Sequence, residues 1–188
     1  MTPVSRVWRQ LCLLAALAVA ALGASVSVRA TQEAATGVRS TSAVVRDLLD
    51  DAMWESPTFR GLVKAIAATD GIVYVEEGVC RHSVHACLVL DVTPAAGYRI
   101  LHVLVDVHRK RLDLLGTLGH ELCHALEVLA DPSIKTASGL FLFYARMAPT
   151  GTSTFETGTA VSTGLKVRNE VGRQPMLVLQ QVALNMPR

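Results

Sequence analysis

One stretch of the chain decides the fold, and it reads Gly119-His120-Glu121-Leu122-Cys123-His124-Ala125-Leu126-Glu127. It lies within Leu112–Ala130, where apolar residues recur at helical spacing until Asp131-Pro132 ends the pattern. Residues i and i+4 of a helix lie about 40° apart and one turn along, so His120 and His124 point in the same direction. Leucines and alanines at positions 115, 118, 122, 125, 126 and 129 fall on the opposite side. The sequence therefore predicts a helix with one face in the core and two histidines lining a cleft.

Around this helix the sequence predicts an α+β domain in which a small, about three-stranded sheet packs on helices. Further helices are expected at 42–54, from Ser56-Pro57 to Asp70-Gly71, at 137–147 and at about 153–171. Strands are expected at 72–75, 86–92 and 98–107, and the residues at 93–97 are typical of a hairpin turn. The length of 188 residues suits one such domain.

The N-terminus has the features of a targeting segment. Arg6 and Arg9 precede an uncharged stretch, 11–28, and Val28-Arg29-Ala30 then supplies a small residue at a cleavage position. This pattern predicts a secretory signal peptide over residues 1–30, and hence an exported protein. The alternative is an uncleaved membrane anchor at 11–28, because 18 apolar residues are the lower limit for a spanning helix.

The predicted mature chain begins with a flexible lead-in at 31–42, followed by the folded domain at 43–188. Removing residues 1–30 takes away three arginines and no acidic residue, so the formal net charge changes from +2 to −1. No basic tract remains that could follow a phosphate backbone, so nucleic-acid binding is not expected.

Three cysteines remain after the leader. In an oxidising compartment Cys80 and Cys87 are expected to close the small loop between them with a disulfide. The alternatives are two unpaired thiols or a metal loop that adds His82 and His85, although its spacing matches no established zinc motif. Cys123 is expected to be a buried free thiol.

The segment His120-Glu-Leu-Cys-His124 carries the chemistry. Two imidazoles one turn apart can reach one ion, and Glu121, about 80° off that face, can reach a water molecule beside it. The motif resembles the signature of the zincin metallopeptidases, and the order of helices and small sheet before it is also similar. Small exported bacterial zincin-like proteins of unknown role look similar along most of the mature chain. The resemblance implies a zincin-like single domain, one zinc ion held by His120 and His124, and Glu121 as general base.

A catalytic zinc site needs a third protein ligand. The extended metzincin motif is absent, because Glu127-Val-Leu-Ala stands where its glycine and third histidine would follow. The gluzincin arrangement takes a glutamate from a following helix, and Glu156, 32 residues after His124, is the candidate. Glu170 is the reserve candidate, but it lies about four turns farther along and cannot share the site with Glu156.

The helix expected at 153–171 supports Glu156. Small or short side chains at Ala160, Gly164 and Val167 share its face and would let this helix approach the histidine helix closely. The alternative is a capping box, in which Ser153 and Glu156 only satisfy the end of their own helix.

Three further roles remain open. Glu127 lies one turn past His124, so it either holds the outer nitrogen of that imidazole or is a solvated helix residue. Tyr144 and Tyr98 are possible donors to a developing oxyanion, and nothing in the sequence selects one. His102 and His108 are expected to be packed or exposed residues without a catalytic role.

The sequence thus predicts an exported, zinc-dependent hydrolase of peptide bonds that acts on a peptide or protein. An edge strand at 86–92 would hold an extended substrate by β-addition. The alternative is a non-catalytic structural or binding protein of the cell envelope with a vestigial or architectural zinc site.

Overall fold

In a computed structural model, the chain is described over residues 37–81, 84–147 and 155–184, and from 174 onward for the backbone alone. The predicted leader, the alternative anchor within it, His82, the loop at 149–152 and Ser153 lie outside the described residues. Among the residues that are described, no helix combines the length and the apolar character needed to cross a bilayer.

The fold is α+β, as predicted, with an open sheet packed on helices. The helices are α1 (Ala43–Glu55), α2 (Pro57–Ala67), α3 (Arg111–Ala130), α4 (Ala137–Met147) and α5 (Gly158–Leu184). The strands are β1 (Val38–Arg39), β2 (Gly71–Glu77), β3 (Ala86–Leu88), β4 (Thr93–Ala95) and β5 (Tyr98–Val105).

The sheet has five strands in the described part of the chain, where three were expected. Its order is β1-β2-β5-β3, and β4 also pairs with β5. β1 and β2 run parallel to each other and to β5, whereas β3 and β4 pair with β5 in the antiparallel direction.

The two unexpected strands lie where the sequence has no strand pattern. β1 falls in the expected flexible lead-in, and two residues are too few to show an alternation; nevertheless Val38 is buried and pairs with Val73. β4 falls in the expected hairpin turn, and the turn itself is only Ala96-Gly97, both with positive φ. The strand expected at 86–92 is correspondingly short and ends at Leu88.

Helix α3 lies in the middle of the domain. Every second residue of β5 is buried against the helices, and α5 packs along α3 on another side. A Cβ atom added to Gly164 of α5 would lie 2.9 Å from the Cβ of His120, so the two helices touch through this glycine. The predicted close approach of small residues is therefore confirmed. The histidine face is not an open cleft, because α5 covers much of it and His124 is buried.

The last helix begins later than expected and continues farther. Its first residue is Gly158, and Thr157 caps it by accepting a hydrogen bond from the Ala160 amide over 3.1 Å. Glu156 therefore precedes the helix, and the capping-box alternative is wrong. The helix continues to Leu184, beyond the expected end at about residue 171.

The C-terminal end of α3 is held by a buried arginine from the start of β5. Arg99 donates to the carbonyl oxygens of Val128 and Leu129 over 3.2 and 2.7 Å, and it forms an ion pair with Asp70 at 2.6 Å. The last carbonyls of a helix lack the usual amide donors one turn farther along, so the guanidinium caps this end of α3 together with the Asp131 amide, which also donates to Val128.

The predicted disulfide between Cys80 and Cys87 is present, and Cys123 is a buried free thiol as expected. Because Cys87 lies in β3, the disulfide attaches this edge strand to the segment that follows β2.

Candidate metal centre

The two motif histidines converge as the helical spacing predicts. Their Nε2 atoms lie 3.1 Å apart, and the rings meet edge to face. Burial lowers the pKa of His120 and the neighbouring imidazole of His124 lowers it further, although Glu156 and Glu127 raise it. The lowered pKa of His120 favours the neutral imidazole, which is the form that binds a metal.

Glu156 is the carboxylate that joins the pair. Its Oε2 lies 3.2 Å from His120 Nε2, and one ligand atom from each of His120, His124 and Glu156 lies within 4.8 Å of the others. The side chain of Glu156 is 52% exposed, whereas those of the two histidines are 18% and 6% exposed. The group could hold a metal ion, and Glu156 is its solvent-exposed member.

Two of the three spacings match a single small cation. Two ligands about 2.0–2.1 Å from a tetrahedral zinc ion lie roughly 3.3 Å apart, which is close to the 3.1 Å between His120 and His124 and the 3.2 Å between His120 and Glu156. The ligand atoms of His124 and Glu156 lie within 4.8 Å of each other, so binding would draw this pair closer. Two imidazoles and one carboxylate are also a donor set that suits zinc among the biological cations.

The reserve candidate Glu170 is used elsewhere. Its Oε2 accepts from Ser56 Oγ over 2.5 Å and from the Thr58 amide over 3.0 Å, and its Oε1 accepts from Thr58 Oγ1. This carboxylate therefore stabilises the N-terminus of α2, where a negative charge is favourable. The choice between the two candidate third ligands falls on Glu156.

Glu121 lies beside the histidines and is buried. Its Oε2 accepts from the Leu88 amide over 2.7 Å, which leaves Oε1, 4.0 Å from His120 Nε2, directed toward the candidate centre. Burial raises the pKa of Glu121 to about 7, although His124 and the Leu88 amide act in the opposite direction. A carboxylate with such a pKa can exchange a proton near neutral pH.

Glu127 holds the outer nitrogen of His124, which was one of its two expected roles. Its Oε2 lies 3.0 Å from His124 Nδ1, and its Oε1 accepts from Thr157 Oγ1 over 2.6 Å. Partial burial raises the pKa of Glu127, but its hydrogen bonds with His124 and Thr157 outweigh that effect, so the pKa lies below its ordinary value. The ionised carboxylate requires a proton on Nδ1, and this leaves Nε2 free to bind a metal.

Tyr144 does not face the centre as an oxyanion donor. Its hydroxyl donates to the backbone carbonyl of His124 over 3.0 Å, and its ring packs edge-on against the imidazole. This buried tyrosine supports His124 from behind. Tyr98 is half-exposed at the start of β5, next to the β4–β5 turn.

Two further histidines lie away from the candidate centre's ligand group. His102 pairs with Glu76 at 3.1 Å and stacks on Tyr74, and His108 is exposed after β5.

The sequence did not indicate two of the groups that shape the centre. Thr157 could have been noticed as a preferred N-cap residue followed by a helical pattern. The Leu88 amide carries no sequence pattern at all, because any residue except proline supplies that donor.

The chain has no significant match among known family models, curated proteins or solved structures.

Proposed function

We propose that this chain is an exported, zinc-dependent peptidase with a zincin-like active site. The observation that carries the proposal is the convergence of His120, His124 and Glu156 with Glu121 beside them. A metal group alone would suit a structural site, but a buried carboxylate directed at the same point is what hydrolysis requires.

Each residue of the proposed active site has a separate role. His120, His124 and Glu156 would hold the zinc ion, which, when bound, polarises a carbonyl and acidifies water. Glu121 takes a proton from the attacking water on Oε1, the oxygen that Leu88 leaves free, and passes it to the departing amine. Glu127 keeps the imidazole of His124 in the tautomer that binds.

A peptide or protein is the proposed substrate. β3 is an edge of the sheet, and it packs on α3 beside Glu121. An extended segment could add to this edge through main-chain hydrogen bonds, which would bring one of its carbonyls to the centre.

Export is supported by the cysteines. A disulfide between Cys80 and Cys87 persists in an oxidising compartment and is rare in the cytosol. We therefore retain the signal peptide at 1–30, and N-terminal sequencing of the exported protein distinguishes it from an anchor at 11–28.

The decisive experiment compares Glu121→Gln with the wild type. The amide keeps the size of the side chain and can still accept from Leu88, but it cannot take a proton. We expect the purified variant to contain one zinc per chain and to cleave a mixed peptide library at less than about a hundredth of the wild-type rate. Glu76→Gln, on the sheet face opposite the helices, serves as the matched control and should cleave normally. Equal cleavage by Glu121→Gln and the wild type would exclude Glu121 as the base.

One observation favours a second candidate, an envelope structural or binding protein with an architectural zinc site. Glu121 is buried, and a hydrogen bond from Leu88 already engages one of its oxygens. For this candidate, the wild type would bind zinc, cleave nothing in the library, and lose most of its thermal stability to a chelator.

A further inference from the structure

One hydroxyl connects two segments of the candidate centre. Thr157 Oγ1 donates to Glu127 Oε1 over 2.6 Å and accepts from the Ala160 amide over 3.1 Å. Glu127 in turn uses its other oxygen for His124 Nδ1. These hydrogen bonds form a chain, the Thr157 relay, which runs from the N-terminus of α5, through a carboxylate of α3, to a candidate metal ligand.

The direction of each bond follows from the groups involved. The Ala160 amide can only donate, so it occupies a lone pair of the Thr157 oxygen and leaves the hydroxyl proton for Glu127. The hydroxyl is buried, with Thr157 only 8% exposed, so water does not compete for it. A hydrogen bond to a carboxylate in such surroundings is strong and directional.

Thr157 is also the direct chain neighbour of the candidate third ligand. Glu156, the candidate third ligand, is the preceding residue and is half-exposed. In the described part of the chain, the carboxylate of Glu156 approaches the other two candidate ligands, with its Oε2 3.2 Å from His120 Nε2. The segment that carries it is fixed at the next residue, by the Thr157 hydroxyl.

We infer that Thr157 is a positioning residue for the metal centre, which places Glu156 and orients His124 through a single hydroxyl shared with Glu127. The inference rests on the proposed metal site but not on peptide hydrolysis. Its readout is therefore the affinity for zinc, measured by competition with a chromophoric chelator.

Three substitutions separate the relay from the helix cap. Thr157→Val removes both, whereas Thr157→Ser keeps both. Thr157→Asp is an excellent N-cap, but it sets a second carboxylate against Glu127 and has no proton to donate. Thr159→Val is the matched control, because Thr159 is an exposed threonine two residues farther along the same helix.

We expect Thr157→Val and Thr157→Asp to bind zinc about tenfold more weakly than the wild type, as is typical when an outer partner of a metal ligand is lost. Thr157→Ser and Thr159→Val should bind within about twofold of the wild type. In a Glu127→Ala background, Thr157→Val should have a smaller further effect, because the acceptor of the hydroxyl proton is already gone.

The outcomes that overturn the inference are distinct. Full affinity in Thr157→Val would show that the hydroxyl does not position the ligands. Full affinity in Thr157→Asp, with a loss in Thr157→Val, would assign the effect to the helix cap alone. A wild type that binds no zinc would overturn the proposed function and this inference together, whereas zinc binding without cleavage would leave this inference standing.

Discussion

The backbone amide of Leu88 donates to the carboxylate of Glu121 over 2.7 Å. Leu88 stands opposite Val103, and its neighbour Val89 directs its own amide to His102 of β5. Alternation along a strand therefore turns the Leu88 amide away from the sheet and toward α3. The edge strand β3 is thus attached to the candidate general base.

Replacing Leu88 with proline should slow hydrolysis without removing zinc. Proline lacks the amide that holds Glu121, but it is tolerated on the outward side of an edge strand, where no ladder bond is lost. We expect kcat to fall about 10- to 100-fold, the usual cost of a small misplacement of a catalytic group. Leu88→Ala keeps the amide and should retain most of the activity, so an equal loss in both variants would point to the side chain instead.

The two glutamates considered as third ligand should respond differently to the same substitution. Glu156→Gln should weaken zinc affinity more than about 100-fold, because a direct ligand matters more than its outer partners. Glu170→Gln should bind zinc normally but lower the free energy of unfolding by about 1 kcal/mol, since it weakens the cap of α2. Chelator competition and urea denaturation measure the two effects, and a reversed pattern would make Glu170 the ligand.

The contact between α3 and α5 should tolerate no added methyl group at Gly164. A Cβ there would lie 2.9 Å from the Cβ of His120 and 3.0 Å from the Gly116 oxygen, so Gly164→Ala forces the helices apart. We expect a loss of about 1–3 kcal/mol in unfolding free energy, together with weaker zinc binding through the displaced His120. Gly172→Ala is the control on the same helix, because its Cβ would meet Leu112 at an ordinary 3.6 Å. It should be neutral or stabilise by up to about 1 kcal/mol.

The ion pair between Asp70 and Arg99 should make stability depend on pH. The hydrogen bond from Arg99 holds the pKa of Asp70 below its ordinary value of 3.8. A carboxylate whose pKa is lowered by folding contributes stability above its unfolded pKa, and this contribution is lost as the pH falls through the folded value.

Asp70→Asn should therefore lower the unfolding free energy by about 1 kcal/mol at pH 7. The effect is no larger because Asp70 is partly exposed and solvent screens the ion pair. The difference from the wild type should begin to shrink as the pH falls below about 4, where the unfolded carboxylate is protonated, and should be lost once the pH passes the lowered pKa of folded Asp70. Urea denaturation at pH 7 and pH 3 measures it, with the exposed Asp47→Asn as control. A difference that grows on acidification would contradict the linkage.

The sequence predicted best those elements in which the apolar pattern repeats over many residues or ends at a clear boundary. Helix α3 begins one residue before the expected Leu112, and α4 has the expected bounds. The short strands β1 and β4 could not be predicted, because pairing with a neighbour makes them strands and their own residues show no alternation. The start of the last helix was placed too early for a similar reason, since a capping hydroxyl at Thr157 decides it.

The candidate site likewise has one part that the sequence predicts and another that it does not. The facing of His120 and His124 follows from helix geometry alone. The choice of Glu156 over Glu170 does not, because both lie on suitable positions of the sequence and differ only in what surrounds them. Glu170 meets the hydroxyls of Ser56 and Thr58, 114 and 112 residues away in the chain.

The sequence by itself determined the local geometry: one helix, two imidazoles on one face, and a carboxylate next to the first of them. These features depend on the helical repeat, which is set by residues close together in the sequence. Only the tertiary structure decided which glutamate lies beside the two imidazoles, that Leu88 holds Glu121, and that Thr157 joins α5 to Glu127. Those contacts join segments that are distant in sequence, and their atoms meet only when burial of the apolar faces brings α3, α5 and the sheet together.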